Sequence, residues 1–134
     1  MTLPQFAPAA LVTAVGGLLA VLLTVRVIMH RVRTAVNAGD GGDPQLAQAI
    51  RAHANFVEHA PLALLLLLVS ERLGTPALAI AIMGAVLLVA RAANAWGLSH
   101  SLGPSMARQA GAGLSLLTVT ALSLSILYRV LFVH

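Results

Sequence analysis

The chain has 134 residues, 59% of them hydrophobic and 9% charged, with a mean hydropathy of +0.92. Soluble domains sit near half apolar and about a quarter charged, so the composition points away from a soluble globular protein and toward one small integral membrane domain covering residues 1–134. The net charge of +4 comes from eight scattered arginines without interleaved aromatics, which argues against nucleic-acid binding, and the absence of cysteine removes disulfides, thiolate metal ligands and a cysteine nucleophile.

A first membrane span is expected over about residues 6–28, a run of almost wholly apolar residues long enough to cross the hydrocarbon core. No basic stretch precedes it, so no cleaved signal peptide is expected. Arg26, His30, Arg31 and Arg33 mark its end. Residues 37–44 read as a loop by composition. Their glycines resemble a phosphate-binding loop only superficially, because the Gly-Lys-Ser/Thr ending is missing. Asp43 is expected to cap the next helix, with Pro44 at its first position.

The second helix is expected over residues 44–73, with a kink near Pro61, which cannot donate to the carbonyl of Val57. A third span is expected over residues 77–96, with Trp96 as an interface anchor. A second polar loop, residues 97–105, contains His100, Gly103 and Pro104, and a fourth span is expected over residues 106–132. Arginines flank the first and third loops, whereas the middle turn has only Arg72. This bias places loops one and three in the cytoplasm and both termini outside. No internal repeat is evident.

The most polar cluster is the stretch 51–62, at the mouth of the apolar half of the second helix. At about 100° per residue, Arg51, Asn55, Glu58 and Leu62 share one stripe, with His59 beside it. Polar groups of this kind are costly in a bilayer and mark a candidate site. Arg suits carboxylates and Glu suits an ammonium, so a small zwitterionic ligand would use both. Alternatively, Arg51 and Glu58 pair with each other or with neighbouring helices. Arg91 and Asn94 share a face of the third span, where they either line the same site or bond helix to helix. His53 and His59 are six apart with no third ligand, so no metal site is expected. A Ser-His-Asp hydrolase has little support, because the aspartates sit in the Gly-rich loop.

On Arg51-x-x-x-Asn55-x-x-Glu58-x-x-Pro61-Leu62, the chain resembles the MAPEG family, membrane-associated proteins in eicosanoid and glutathione metabolism. The run Arg51-Ala52-His53-Ala54-Asn55-Phe56 looks most like its bacterial, YecN-like branch. The resemblance implies an all-α bundle of four transmembrane helices assembled as a homotrimer in a bacterial inner membrane. It also implies glutathione as co-substrate, held between adjacent subunits near the cytoplasmic face. Glu58 would then hold the amino group, and Arg51 and Asn55 the polar or carboxylate parts. Arg31 resembles a basic contact from the first helix. His59, Asn94 and Leu98 stand where relatives often carry tyrosine. Catalytic relatives activate the thiol with an arginine near the start of the fourth helix, which points to Arg108, with His100 as a second candidate.

Three functions follow. The first is a microsomal-type glutathione transferase or peroxidase acting on lipophilic electrophiles that arrive from the membrane lipids. The second is a non-catalytic lipid- or thiol-binding member. The third is a small multidrug-type exporter, although such proteins carry their carboxylate in the first helix and this chain has none there.

Overall fold

A computed structural model of the protein describes residues 7–100, 103 and 105–132. It contains four helices: α1 (Pro8–Thr34), α2 (Pro44–Arg72), α3 (Ala77–His100) and α4 (Met106–Phe132). All four are long and apolar enough to cross a membrane. At 1.5 Å per residue even α3, the shortest, is about 36 Å long, more than the hydrocarbon thickness of about 30 Å. Helix ends therefore project into the polar boundary.

That projection explains two differences from the sequence reading. α1 does not stop at residue 28 but carries Arg31 and Arg33 in its last turn, ending where Ala35 turns left-handed at φ 54°. α3 does not stop at residue 96 but runs on to His100, with Ser99 Oγ donating to the Ala95 carbonyl and His100 Nδ1 to that of Trp96. An apolar count finds the hydrocarbon edge, whereas backbone hydrogen bonding continues beyond it, and cations suit a helix C-terminus. Phe6 and Pro104, placed at the ends of expected elements, lie outside the described residues.

α2 begins as expected, with Asp43 Oδ1 accepting the Leu46 N–H at 2.7 Å and Pro44 in its first turn. The helix passes through Pro61 without interruption. α1 has no side-chain cap of its own. Instead, Glu71 at the far end of α2 accepts the Ala9 N–H at 3.2 Å, putting a carboxylate at the positive end of α1.

α2 and α3 pack together, and α1 and α4 each pack against both of them. Among the described residues no Cα of α1 lies within 8 Å of one in α4. One apolar core, around Leu23, Phe56, Ala60 and Leu98, ties α1, α2 and α3 together, and a second joins all four helices through Val12, Leu67, Ile80 and Leu122. With lipid tails outside, helix association depends on close packing, which small residues permit. A Cβ added at Gly111 would lie 2.5 Å from the Ala90 carbonyl oxygen, so this glycine sets the approach of α4 to α3. Elsewhere the helices turn large apolar side chains outward, among them Leu18, Leu78 and Leu116. Such a surface suits lipid and not water.

Gly111→Ala is expected to cost about 1–3 kcal/mol by overpacking against a backbone carbonyl. Gly113→Ala, which meets open space, is expected to be neutral or stabilising by up to about 1 kcal/mol. Thermal unfolding in detergent checks the pair; equal behaviour of the two variants would show that the α3–α4 approach is looser than described.

Candidate functional site

The most constrained polar group is Arg91 of α3, only 3% exposed. Its Nη1 donates to Asn55 Oδ1 of α2 at 3.2 Å, and its Nη2 to the Gly111 carbonyl of α4 at 3.0 Å. Ser115 Oγ donates to the same carbonyl at 2.8 Å. Inserting an arginine at the centre of a membrane helix costs about 2.5–3.5 kcal/mol, and here neutral oxygens from two other helices compensate it. One turn on, Asn94 donates its Nδ2 to the Arg108 carbonyl at 3.2 Å.

Two atoms of this network are left over. Arg91 Nε and Asn94 Oδ1 are buried without a hydrogen-bond partner. An unsatisfied buried polar atom costs about 1–3 kcal/mol, and both belong to residues that line a cavity. A pocket of about 260 Å³ is lined by Asn55, Asn94, Ser105, Arg108, Gln109 and Ala112. Beside it, and sharing Ala112, is a more apolar pocket of about 230 Å³ lined by His59, Leu62, Arg91, Ser115, Leu116 and Val119. The two form a cleft between α2 and α4, polar at one end and apolar at the other, with Arg91 and Asn94 reaching it from α3.

The structure thus brings together Asn55, His59, Arg91, Asn94 and Arg108, five of the residues singled out in the sequence. Arg108 lines the polar pocket while its Nη1 donates to the Gly103 carbonyl at 2.5 Å. Arg51 and Glu58 sit elsewhere. They lie on the uncovered face of α2, opposite the buried Ala52, Phe56 and Ala60. Among the described residues they make no hydrogen bond or ion pair, with each other or with a third group. Arg31 is also outside the cleft: its Nη1 donates to the carbonyls of Val36 and Gly39, fastening the loop after α1. His100 stacks on Trp96 with ring centroids 4.2 Å apart.

Sequence reasoning missed Ser105, Gln109, Gly111 and Ser115. The only signal for them was small and polar residues near the start of an apolar span. It also gave Arg91 no priority over Arg51, although an arginine in a helix free of acidic residues had to find partners on other helices.

The MAPEG family pattern matches residues 9–128. The chain belongs to the MAPEG family. It is a multi-pass membrane protein, and the resemblance read from residues 51–62 is borne out. Among its relatives is the inner membrane protein YecN of Escherichia coli strain K12, 37% identical over 93 residues, or 69% of this chain and 71% of that protein. The YecN of Escherichia coli O6:H1 matches to the same extent.

Removing the acceptor of Arg91 with Asn55→Ala is expected to lower the stability of this MAPEG protein by about 1–3 kcal/mol. Arg51→Ala and Glu58→Ala, which remove no hydrogen bond or ion pair among the described residues, are expected to cost less. Thermal denaturation without ligand checks the order. Losses for Arg51→Ala or Glu58→Ala matching that of Asn55→Ala would mark the exposed pair as structural.

Proposed function

We propose that the protein is a glutathione-dependent transferase or peroxidase acting on lipophilic electrophiles at the inner membrane. The observation that carries this reading is the two-ended cleft. A polar pocket holding Arg108, Asn55 and Asn94 adjoins an apolar pocket holding Leu62, Leu116 and Val119. A hydrophilic thiol at one end and an apolar partner at the other would meet near Ala112. Arg108 is the cation placed to favour the thiolate, which is the nucleophilic form. In the transfer reaction the thiolate attacks an electrophilic carbon, a carbon–sulfur bond forms, and the leaving group departs with the electron pair.

The protomer offers part of a site. Each pocket is smaller than the roughly 300–1,000 Å³ of ordinary ligand sites. Arg51 and Glu58 stand ready on the exposed face of α2 beside the apolar Val57 and Leu62. We infer a homotrimer in which this face meets a neighbouring subunit. Glutathione then lies at the boundary, its amino group on Glu58 and its carboxylates on Arg51 and the basic end of α1. His59 would contact the ligand at the join of the two pockets.

A second reading, a non-catalytic lipid or thiol binder, is favoured by one observation. Arg108 already spends a hydrogen bond on the Gly103 carbonyl. The test is conjugation. Wild type in detergent is expected to be trimeric by native mass spectrometry, to raise the thiolate absorbance of added glutathione, and to conjugate a generic aromatic electrophile. Arg108→Leu is expected to lose conjugation while keeping most of its affinity for glutathione, the pattern of lost nucleophile activation. Binding without thiolate or conjugation in wild type establishes the binder instead.

The arginine bias supports an orientation with the α1–α2 and α3–α4 loops in the cytoplasm and both termini outside. The chain has no cysteine, so cysteines introduced at the exposed Asn37 and Ala77 have no background. They are expected to label from opposite sides of the membrane, Asn37→Cys from the cytoplasm; labelling from the same side would overturn this orientation.

A further inference from the structure

We propose that Arg91 is a positioning residue that sets the hydrogen-bond polarity of the cleft, so that it takes a peptide amide with its carbonyl on Asn55 and its N–H on Asn94. The orientation of a side-chain amide follows from its partners. A guanidinium can only donate. The Arg91 Nη1 contact to Asn55, at 3.2 Å, therefore holds the Asn55 oxygen toward α3 and leaves its NH2 for the pocket that Asn55 lines. A backbone carbonyl can only accept. The contact between Asn94 and the Arg108 carbonyl, at 3.2 Å, therefore takes the Asn94 NH2 and leaves its oxygen as the acceptor. That oxygen is buried and without a partner, on a residue 5% exposed that lines the same pocket. Two amides that could each have presented either end are held in opposite senses, one as donor and one as acceptor. A carboxylate would satisfy only the first and an ammonium only the second. An amide, with its carbonyl and N–H, satisfies both.

Arg91 itself contacts no ligand in this scheme. Its second hydrogen bond, to the Gly111 carbonyl, anchors it to α4, so swinging away from Asn55 would put that bond at risk as well. The inference rests on the reading that the cleft binds glutathione, and it names which part of that ligand the α2–α3 pair recognises.

The informative variant is Asn55→Asp. It keeps an acceptor for Arg91, now charge-assisted, so the fold and its thermal stability are expected to persist. It replaces the NH2 offered to the ligand with a second acceptor. Calorimetric titration with S-hexylglutathione, which has no free thiol, is expected to show affinity at least tenfold weaker than wild type. Two analogues, each with an ester in place of one of the two amides, each lack one N–H; one of them is expected to bind wild type about tenfold more weakly than the amide, and to lose that penalty in Asn94→Leu. Unchanged affinity in Asn55→Asp, or no amide-over-ester preference in wild type, would overturn the inference. A ligand-free measurement keeps this separate from the glutathione reading. With 15N-labelled asparagine, the Asn55 NH2 is expected to give one sharp pair of resonances in wild type and an exchange-broadened pair in Arg91→Met. Arg91→Lys, a donor-only replacement, is expected to restore the sharp pair. Failure to bind any glutathione together with this NMR pattern removes the thiol ligand and leaves the positioning role standing. Identical Asn55 signals in wild type and Arg91→Met remove the positioning role whatever binds.

Discussion

A guanidinium inside an apolar bundle must be given oxygens, and α3, which carries Arg91, contains no acidic residue to pair with it. The acceptors therefore come from α2, through the Asn55 side chain, and from α4, through the Gly111 carbonyl. This requirement draws three helices to one point. It also explains why the residue at 111 lacks a side chain: a carbonyl that receives Arg91 from a helix so close leaves no room for a Cβ. α1 is not part of this arrangement. It packs on α2 and α3 through apolar contacts and through Arg26, whose Nη1 donates to Ser99 Oγ.

The same constraint shapes the candidate site. Arg91 ties α2 and α4 to α3 at the cleft that lies between them. The polar groups needed for packing sit at its base, and those on the outer stripe of α2 remain uncovered. Arg51 and Glu58 thus differ in kind from Arg91 and Asn55, although all four carry similar chemistry. The first pair makes no hydrogen bond or ion pair among the described residues, whereas Arg91 and Asn55 bond to each other across two helices.

How far the sequence could be read follows from this distinction. Helix number was legible from the apolar runs, and the start of α2 from Asp43 and Pro44, which carry local signals for a helix start. The ends of α1 and α3 were not, because hydropathy falls at Arg26 and Gly97 while the helical backbone continues. The helical stripe correctly grouped Arg51, Asn55, Glu58 and Leu62, but periodicity gives relative angle and not absolute facing. Only the packing of Ala52, Phe56 and Ala60 inward shows that Arg51 and Glu58 look away from the bundle and Asn55 sits at its edge. Arg91 illustrates the other limit. Its partners are 36 and 20 residues away in sequence, and a backbone carbonyl leaves no trace in residue type.

The bond from the Ala9 amide to Glu71 bears on how the chain is made. α1 emerges first from the ribosome, yet the group that closes its leading end lies at the last turn of α2, 62 residues later. The connecting loop joins α1 and α2 at one side of the membrane, and the Glu71 carboxylate joins them at the other. The hairpin is thus fastened at both ends by groups of its own two helices.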